Sequence, residues 1–201
     1  MEDYYIIGAG GHASVINDIF KSNGFNVKGF FADFTGTGRS QSPIIGKISD
    51  IAAYQENSNF IIAIGDNTAR SVISNKFSNL NYITVMHPSA VTGSDIKFGQ
   101  GTAVFPNAVI NAGTIIGNHV IINSSATIEH DCIIGNFAHV SPRAVLCGGV
   151  HVGENTWIGA GATIIPKVKI GKNVIVGAGA VVIRDIPDGA KVVGIPAEQI
   201  P

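Results

Sequence analysis

From Ile96 to Asp185 the chain repeats every six residues without a single insertion. The segment divides into fifteen hexads, from Ile96-Lys97-Phe98-Gly99-Gln100-Gly101 to Ala180-Val181-Val182-Ile183-Arg184-Asp185. Their third positions are Phe98, Val104, Ile110, Ile116, Ile122, Ile128, Ile134, Val140, Leu146, Val152, Ile158, Ile164, Ile170, Val176 and Val182. Fourteen of the fifteen are therefore Val, Ile or Leu, and the first positions are small or β-branched. A longer period lies on top: Gly99, Gly117, Gly135, Gly153 and Gly171 recur every 18 residues. An ordinary strand alternates with period two and an amphipathic helix with 3.6, so neither yields six. A triangular coil with three short sides does, its aliphatic positions stacking inside a prism. One coil cannot bury its own apolar edge, so stacking supplies the core. The periodic glycines mark either corners with positive φ or places where backbones approach closely.

Composition agrees with short buried strands. The 201-residue chain is 45% hydrophobic and 13% charged, against about 25% charged in a typical soluble domain. So apolar a surface suggests cover by other subunits. A net charge of −1 supplies no field that would recruit nucleic acid or an anionic membrane. The two cysteines, Cys132 and Cys147, have neither CxxC nor zinc spacing, so no metal site and no disulfide scaffold are expected. A cytoplasmic setting fits. The first residues lack the positive region of a signal peptide, and no apolar run reaches the roughly 18–20 residues that insertion across a bilayer needs.

Residues 1–88 lack the hexad and are expected to form a separate small α/β domain, with 89–201 as the β-solenoid and a short tail. Strands are predicted at Tyr4–Ile7, Asn26–Phe31, Phe60–Ile64 and Tyr82–Val85. Helices are predicted near Ala13–Ser22, Ser49–Glu56 (capped by Ser49) and Thr68–Phe77, with a linker at Thr35–Pro43. Alternating strands and helices imply a small parallel sheet. Gly8-x-Gly10-x-x-Ala13 fits the dinucleotide fingerprint, with Asp33 about twenty residues on. A full dinucleotide fold needs two halves, however, and there is room for one, which argues against an NAD enzyme. Phosphate or nucleotide binding in a Rossmann-like half-fold is the expectation. Binding at the carboxyl ends of the strands would gather Gly8, Gly10, Gly11, His12, Asp33 and Gly65–Asn67 in one crevice.

Within the repeat, Glu129-His130-Asp131 places three titratable groups in a row where other hexads mostly carry Gly, Ala or Asn. Histidine suits a general base near neutral pH. Either neighbouring carboxylate would fix its tautomer, as the acid does in a Ser-His-Asp triad. If the reaction is acyl transfer from a CoA thioester, Gly148, Gly159, Ala160 and Gly177 suit backbone amides along a pantetheine groove. Lys167 heads a late basic cluster that would meet CoA phosphates. Asn123, just ahead of the motif, is a polar contact for the acceptor. Cys132 occupies an inward position, so direct attack on the thioester is favoured over an acyl-cysteine route.

Several blocks together carry a resemblance that covers essentially the whole chain: Gly8-Ala9-Gly10-Gly11-His12, Ile62-Ala63-Ile64-Gly65-Asp66-Asn67, Met86-His87-Pro88-Ser89-Ala90, the hexads from Ser124 to Pro142, and Gly194-Ile195-Pro196-Ala197. The chain resembles the bacterial sugar acyltransferases of the sialic acid O-acetyltransferase and UDP-4-amino-sugar N-acetyltransferase group. That resemblance implies a left-handed parallel β-helix of hexapeptide repeats and acetyl-CoA as co-substrate, with active sites at the interfaces of a homotrimer. It makes His130 the general base, Asp131 its partner, and His139 a residue near the acyl-CoA. Asp33-Phe34 resembles the acidic-aromatic pair that meets uracil in the N-acetyltransferases, although Ala32 stands where those enzymes often carry another Asp. The implied reaction is N-acetylation of the 4-amino group of a nucleotide-linked deoxy-amino-sugar for glycan synthesis. The alternatives are O-acetylation of sialic acid or a related sugar, and a non-catalytic trimer that holds a nucleotide sugar.

Overall fold

The computed structural model describes residues 3–34 and 43–201. The expected linker at Thr35–Pro43 falls almost wholly outside them. The first part of the chain forms a five-stranded, all-parallel sheet. Its strands are β1 (Asp3–Ile7), β2 (Val27–Phe31), β3 (Ile44–Gly46), β4 (Ser58–Ile62) and β5 (Asn81–Tyr82), in the order β3-β2-β1-β4-β5. Helices α1 (Gly11–Ser22) and α2 (Asn67–Lys76) connect them. Aliphatic and aromatic runs such as Ile6-Ile7, Phe30-Phe31 and Phe60-Ile61-Ile62 are buried on both faces of the sheet, as parallel strands require. Order and direction follow the first five strands of the doubly wound 3-2-1-4-5-6 arrangement, so the sheet extends past the single three-stranded half that the length of this segment suggested.

Three expectations change. The segment predicted as a helix from Ser49 is a 3₁₀ turn, Ile48–Tyr54, with Lys47 rather than Ser49 at its cap. Asp50 causes this: its carboxylate accepts the Lys47 N–H at 2.9 Å and tightens the entry. Strand β3 went unforeseen because three half-buried residues carry too short a pattern to read. The expected strand Tyr82–Val85 is two elements. Asn81–Tyr82 closes the sheet, and Val85–Met86 is already the first rung of the prism, bonded to Ala103–Val104.

From Val85 onward, two-residue strands stack in parallel with an 18-residue offset. They form three faces. The docked face, against which the α/β sheet domain packs, runs from Val85–Met86 through His139–Val140 to Ile175–Val176 and ends with Lys191–Val193 and the antiparallel Glu198–Ile200. The second face runs from Val91–Thr92 to Val181–Val182, and the third from Lys97–Phe98 to Lys169–Ile170. First and third hexad positions point inward and make one continuous core. Buried Thr102, Thr114 and Thr156 sit among them, each hydroxyl donating to a backbone carbonyl.

The corner with positive φ falls at the sixth hexad position, from Gly101 to Gly179. The glycines with the 18-residue period are elsewhere, and backbone approach explains them. A Cβ on Gly135, for instance, would lie 2.6 Å from Glu154 N.

Candidate active site

His130 and Asp131 occupy the corner between the second and third faces, directly after strand Thr127–Ile128. The imidazole Nδ1 and Asp131 Oδ2 are 2.8 Å apart. A carboxylate only accepts, so Nδ1 donates, and in the neutral ring the lone pair lies on Nε2. Glu129 is not the partner: its Oε2 accepts from Asn111 Nδ2 at 2.9 Å, one coil below. Both members of the pair are open to solvent, with side chains 64% and 73% exposed.

The ring fits only because of what lies one coil above. A Cβ on Gly148 would fall 2.6 Å from His130 Nε2 and 2.8 Å from Cε1. One coil below, a Cβ on Gly113 would fall 2.7 Å from Asp131 Oδ1. The base therefore stands in a notch between two glycines. Gly113 was missed in the sequence, although its signal is simple: it lies 18 residues before Asp131. Lys167 is exposed on the same corner, two coils above Asp131.

The structure does not bring Gly159, Ala160 and Gly177 to that notch; they lie at the corner between the docked and second faces. There Gly161 and Gly179 adopt positive φ, and a Cβ on either would meet nothing within 4 Å, so the wall is bare backbone. Cys132 is fully buried, its thiol donating to Cys147 O, and burial pushes it up to about 11. It is no nucleophile at neutral pH.

A second cluster lies at the junction with the α/β domain. A cavity of about 370 Å³ opens at the carboxyl ends of β1, β2 and β4. Gly8, Gly10, Gly11, His12, Asp33, Phe34 and Gly65 line it, so the crevice read from the sequence gathers as expected. Gly8 is required by geometry: its φ is +111°, and a Cβ would meet Ala63 O at 2.7 Å. Helix α1 begins at Gly11, two residues earlier than predicted, and no side chain caps it. Asp33 Oδ1 accepts from Ile48 N at 3.1 Å, and Phe34 is half exposed. Asn67, expected beside them, turns the other way. Its amide donates to Asn155 O and Thr156 O of the prism, and its carbonyl takes Arg70 Nη2.

His139 projects from the docked face and is buried under that domain. Its ring stacks on Trp157 at 5.5 Å and lies 6.5 Å from the ring of His12. Asn123 Oδ1 accepts from Ser124 N, which turns Nδ2 toward His139 Nε2 at 3.0 Å. Nε2 thus accepts and Nδ1 bears the proton, facing the Gly65 carbonyl without closing a hydrogen bond on it. Burial, then the Arg70 charge, then His12 pull His139 down to about 3. Burial and Arg70 likewise bring His12 and His119 to about 4. His130 and His139 therefore sit on different sides of one prism, one an exposed base and the other a buried neutral ring.

Two family models match the chain: the PglD N-terminal domain over residues 3–77, and the bacterial transferase hexapeptide (six repeats) over residues 149–184. PerB of Caulobacter crescentus, solved with CoA and GDP-perosamine, is 37% identical over 100% of this chain and 98% of its own, with a TM-score of 0.94. The chain belongs to the hexapeptide-repeat nucleotide-sugar N-acetyltransferase family. The acetyltransferase domain of PglB from Neisseria gonorrhoeae, solved with acetyl coenzyme A, is 33% identical over 99% of both chains, TM-score 0.95. WeeI from Acinetobacter baumannii is 25% identical over 100% of both, TM-score 0.88. Uncharacterized protein L142 of Acanthamoeba polyphaga mimivirus is 40% identical over 101 residues, half of this chain but only 20% of that protein. Membership in the family makes the prism a left-handed β-helix. Among the described residues no group of His, Cys, Asp or Glu could hold a metal ion, and no helix is long and apolar enough to cross a membrane.

Proposed function

We propose that this protein transfers the acetyl group of acetyl-CoA to the 4-amino group of a nucleotide-linked deoxy-amino-sugar, with His130 as general base. One observation carries the reading. His130 Nδ1 donates to Asp131, so in the neutral ring the lone pair lies on Nε2, in a notch open to solvent. An ammonium acceptor must lose a proton before its nitrogen can attack, and Nε2 is the group that takes it. The nitrogen then bonds to the thioester carbon, and the C–S bond breaks as the tetrahedral oxyanion collapses. The second ammonium-derived N–H proton goes to the departing thiolate to give CoA–SH, and the proton held by His130 passes to solvent. Asp131 stabilises the imidazolium while it lasts.

The crevice holds the nucleotide, its phosphates facing the uncapped start of α1 and its base beside Asp33 and Phe34. His139, Gly148, Gly159, Ala160, Gly177 and Lys167 serve acetyl-CoA, and Asn123 meets the sugar. His139 acts here by contact, because its Nε2 accepts from Asn123 and offers no proton to an oxyanion. One copy cannot assemble this site, since the base lies on the corner away from the docked face. A neighbouring copy packed in parallel would bring its His130 corner to the crevice, which supports a homotrimer. Ile115 and Ile133, exposed on the third face beside that corner, suit burial in such a contact. The α/β unit that ends with Asn81–Tyr82 and the solenoid that starts at Val85 then act as acceptor and donor halves of a cytoplasmic enzyme.

The test is thiol release from acetyl-CoA with GDP-, UDP- and dTDP-linked 4-amino-sugars, beside free sialic acid. Turnover with one amino-sugar, lost in His130→Ala while the oligomer and ligand binding persist, is the expected result. Turnover with sialic acid alone would make the enzyme an O-acetyltransferase. Equal turnover in His130→Ala would remove the base.

A further inference from the structure

Arg70 of α2 is 1% exposed, and no carboxylate pairs with it among the described residues. Asp66 at the cap of the same helix acts on its charge without contacting it, and a buried cation with no contacting counter-ion is costly, so its hydrogen bonds call for an explanation. Nε donates to His119 O at 2.8 Å. Nη1 donates to Ile64 O at 3.0 Å and Gly65 O at 3.2 Å, the rim of the crevice. Nη2 donates to Asn67 Oδ1 at 2.8 Å and to Phe137 O at 2.7 Å, with Ala138 O at 3.4 Å. Residues 137 and 138 lead directly into the strand that carries His139.

We propose that Arg70 is a positioning residue: its planar fork holds the rim of the crevice and the strand bearing His139 in one fixed relation. No shorter side chain spans both. A lysine keeps the charge, but one ammonium cannot serve carbonyls on the crevice rim and on the prism together. The same charge also faces His139, with His12 the other titratable group turned toward it from α1. Arg70 thereby helps to keep the ring on the acetyl-CoA side uncharged. The kinetic part of this inference rests on the transferase reading above; the optical part does not.

Trp157 is the sole tryptophan and stacks on His139, so an imidazolium there quenches its fluorescence. Two variants of the full chain separate the possibilities, with thermal melts defining the folded fraction. In Arg70→Lys, the KM for the amino-sugar nucleotide should rise about tenfold while kcat stays within about threefold, since His130 is untouched. In Arg70→Met, the pH of Trp157 quenching should move upward, and in Arg70→Lys it should stay near that of the parent. If Arg70→Met does not fold, the KM split in Arg70→Lys decides alone. If no acceptor turns over, the transferase reading fails, and the Trp157 titration still decides on Arg70. Folded variants with the parent's KM and quenching pH, merely melting earlier, would overturn the proposal and leave Arg70 a structural rivet.

Discussion

Replacing Gly148 by alanine separates the base from the fold that carries it. The added methyl would sit 2.6 Å from His130 Nε2, where ordinary contact begins at 3.4 Å, so the ring must retreat by about 0.8 Å. Gly148 does not have positive φ, so alanine is sterically allowed in the backbone and gains about 0.4–1 kcal/mol from a less disordered unfolded chain. The lost contact to Asp131 is exposed and worth about 0.2–1 kcal/mol. These nearly cancel, and the melting temperature should stay within about 4 °C. Activity should not survive as well. A misplacement near 1 Å at a reacting group costs about a hundredfold, within the range of about 10²–10⁴ that general-base catalysis supplies. Thiol release by Gly148→Ala should therefore fall at least about a hundredfold in kcat/KM. Gly135→Ala is the contrast, because its methyl meets backbone, Glu154 N at 2.6 Å and Gly153 C at 2.8 Å. Backbone cannot swing away, so about 1–3 kcal/mol of stability should be lost, with kcat per folded molecule unchanged. A Gly148→Ala enzyme with kcat within threefold of the parent would refute the placement of the base in the notch.

Acid should weaken the fold in a defined window. His12 and His119 are held at about 4 and His139 at about 3, against about 6.5 in an unfolded chain. The folded form binds fewer protons below that value, so this stability is intact above pH 6.5 and lost as pH falls toward 4. The slope is at most about 1.4 kcal/mol per histidine per pH unit. Calorimetry from pH 7 to 4.5 checks it, and a flat profile would contradict the burial of these rings as neutral species. Asp33→Ala should raise the KM for the nucleotide sugar and leave kcat and the KM for acetyl-CoA near parent values. A change confined to kcat would move Asp33 out of the nucleotide's path.

The legible parts of the sequence were those with a period or a local motif. Fifteen hexads dictated the prism, its inward column from Val104 to Val182 and the register of every rung, because stacking repeats one contact at a constant offset. The residues around His130 left Asp131 and Glu129 level as partners, and the family resemblance favoured Asp131. Only Asn111, one coil below, settled which carboxylate was free. The crevice was foreseen because glycines at strand ends mark close approach, whereas Asn67 looked identical in kind and turned into the prism. The 3₁₀ turn at Ile48–Tyr54 escaped because a single carboxylate, Asp50, moved the cap by two residues.

The sequence by itself determined the solenoid, the Rossmann-like parallel sheet ahead of it, the His130 corner and the 18-residue spacing that sets Gly148 above it, since each follows from residues near in sequence or spaced by a constant step. Tertiary structure alone decided the burial of His139 and His119 and the span of Arg70 from crevice rim to prism. Those arise where two units dock, and docking surfaces have no period: hydrogen bonds there join residues as far as 89 positions apart that nothing in the local pattern ties together.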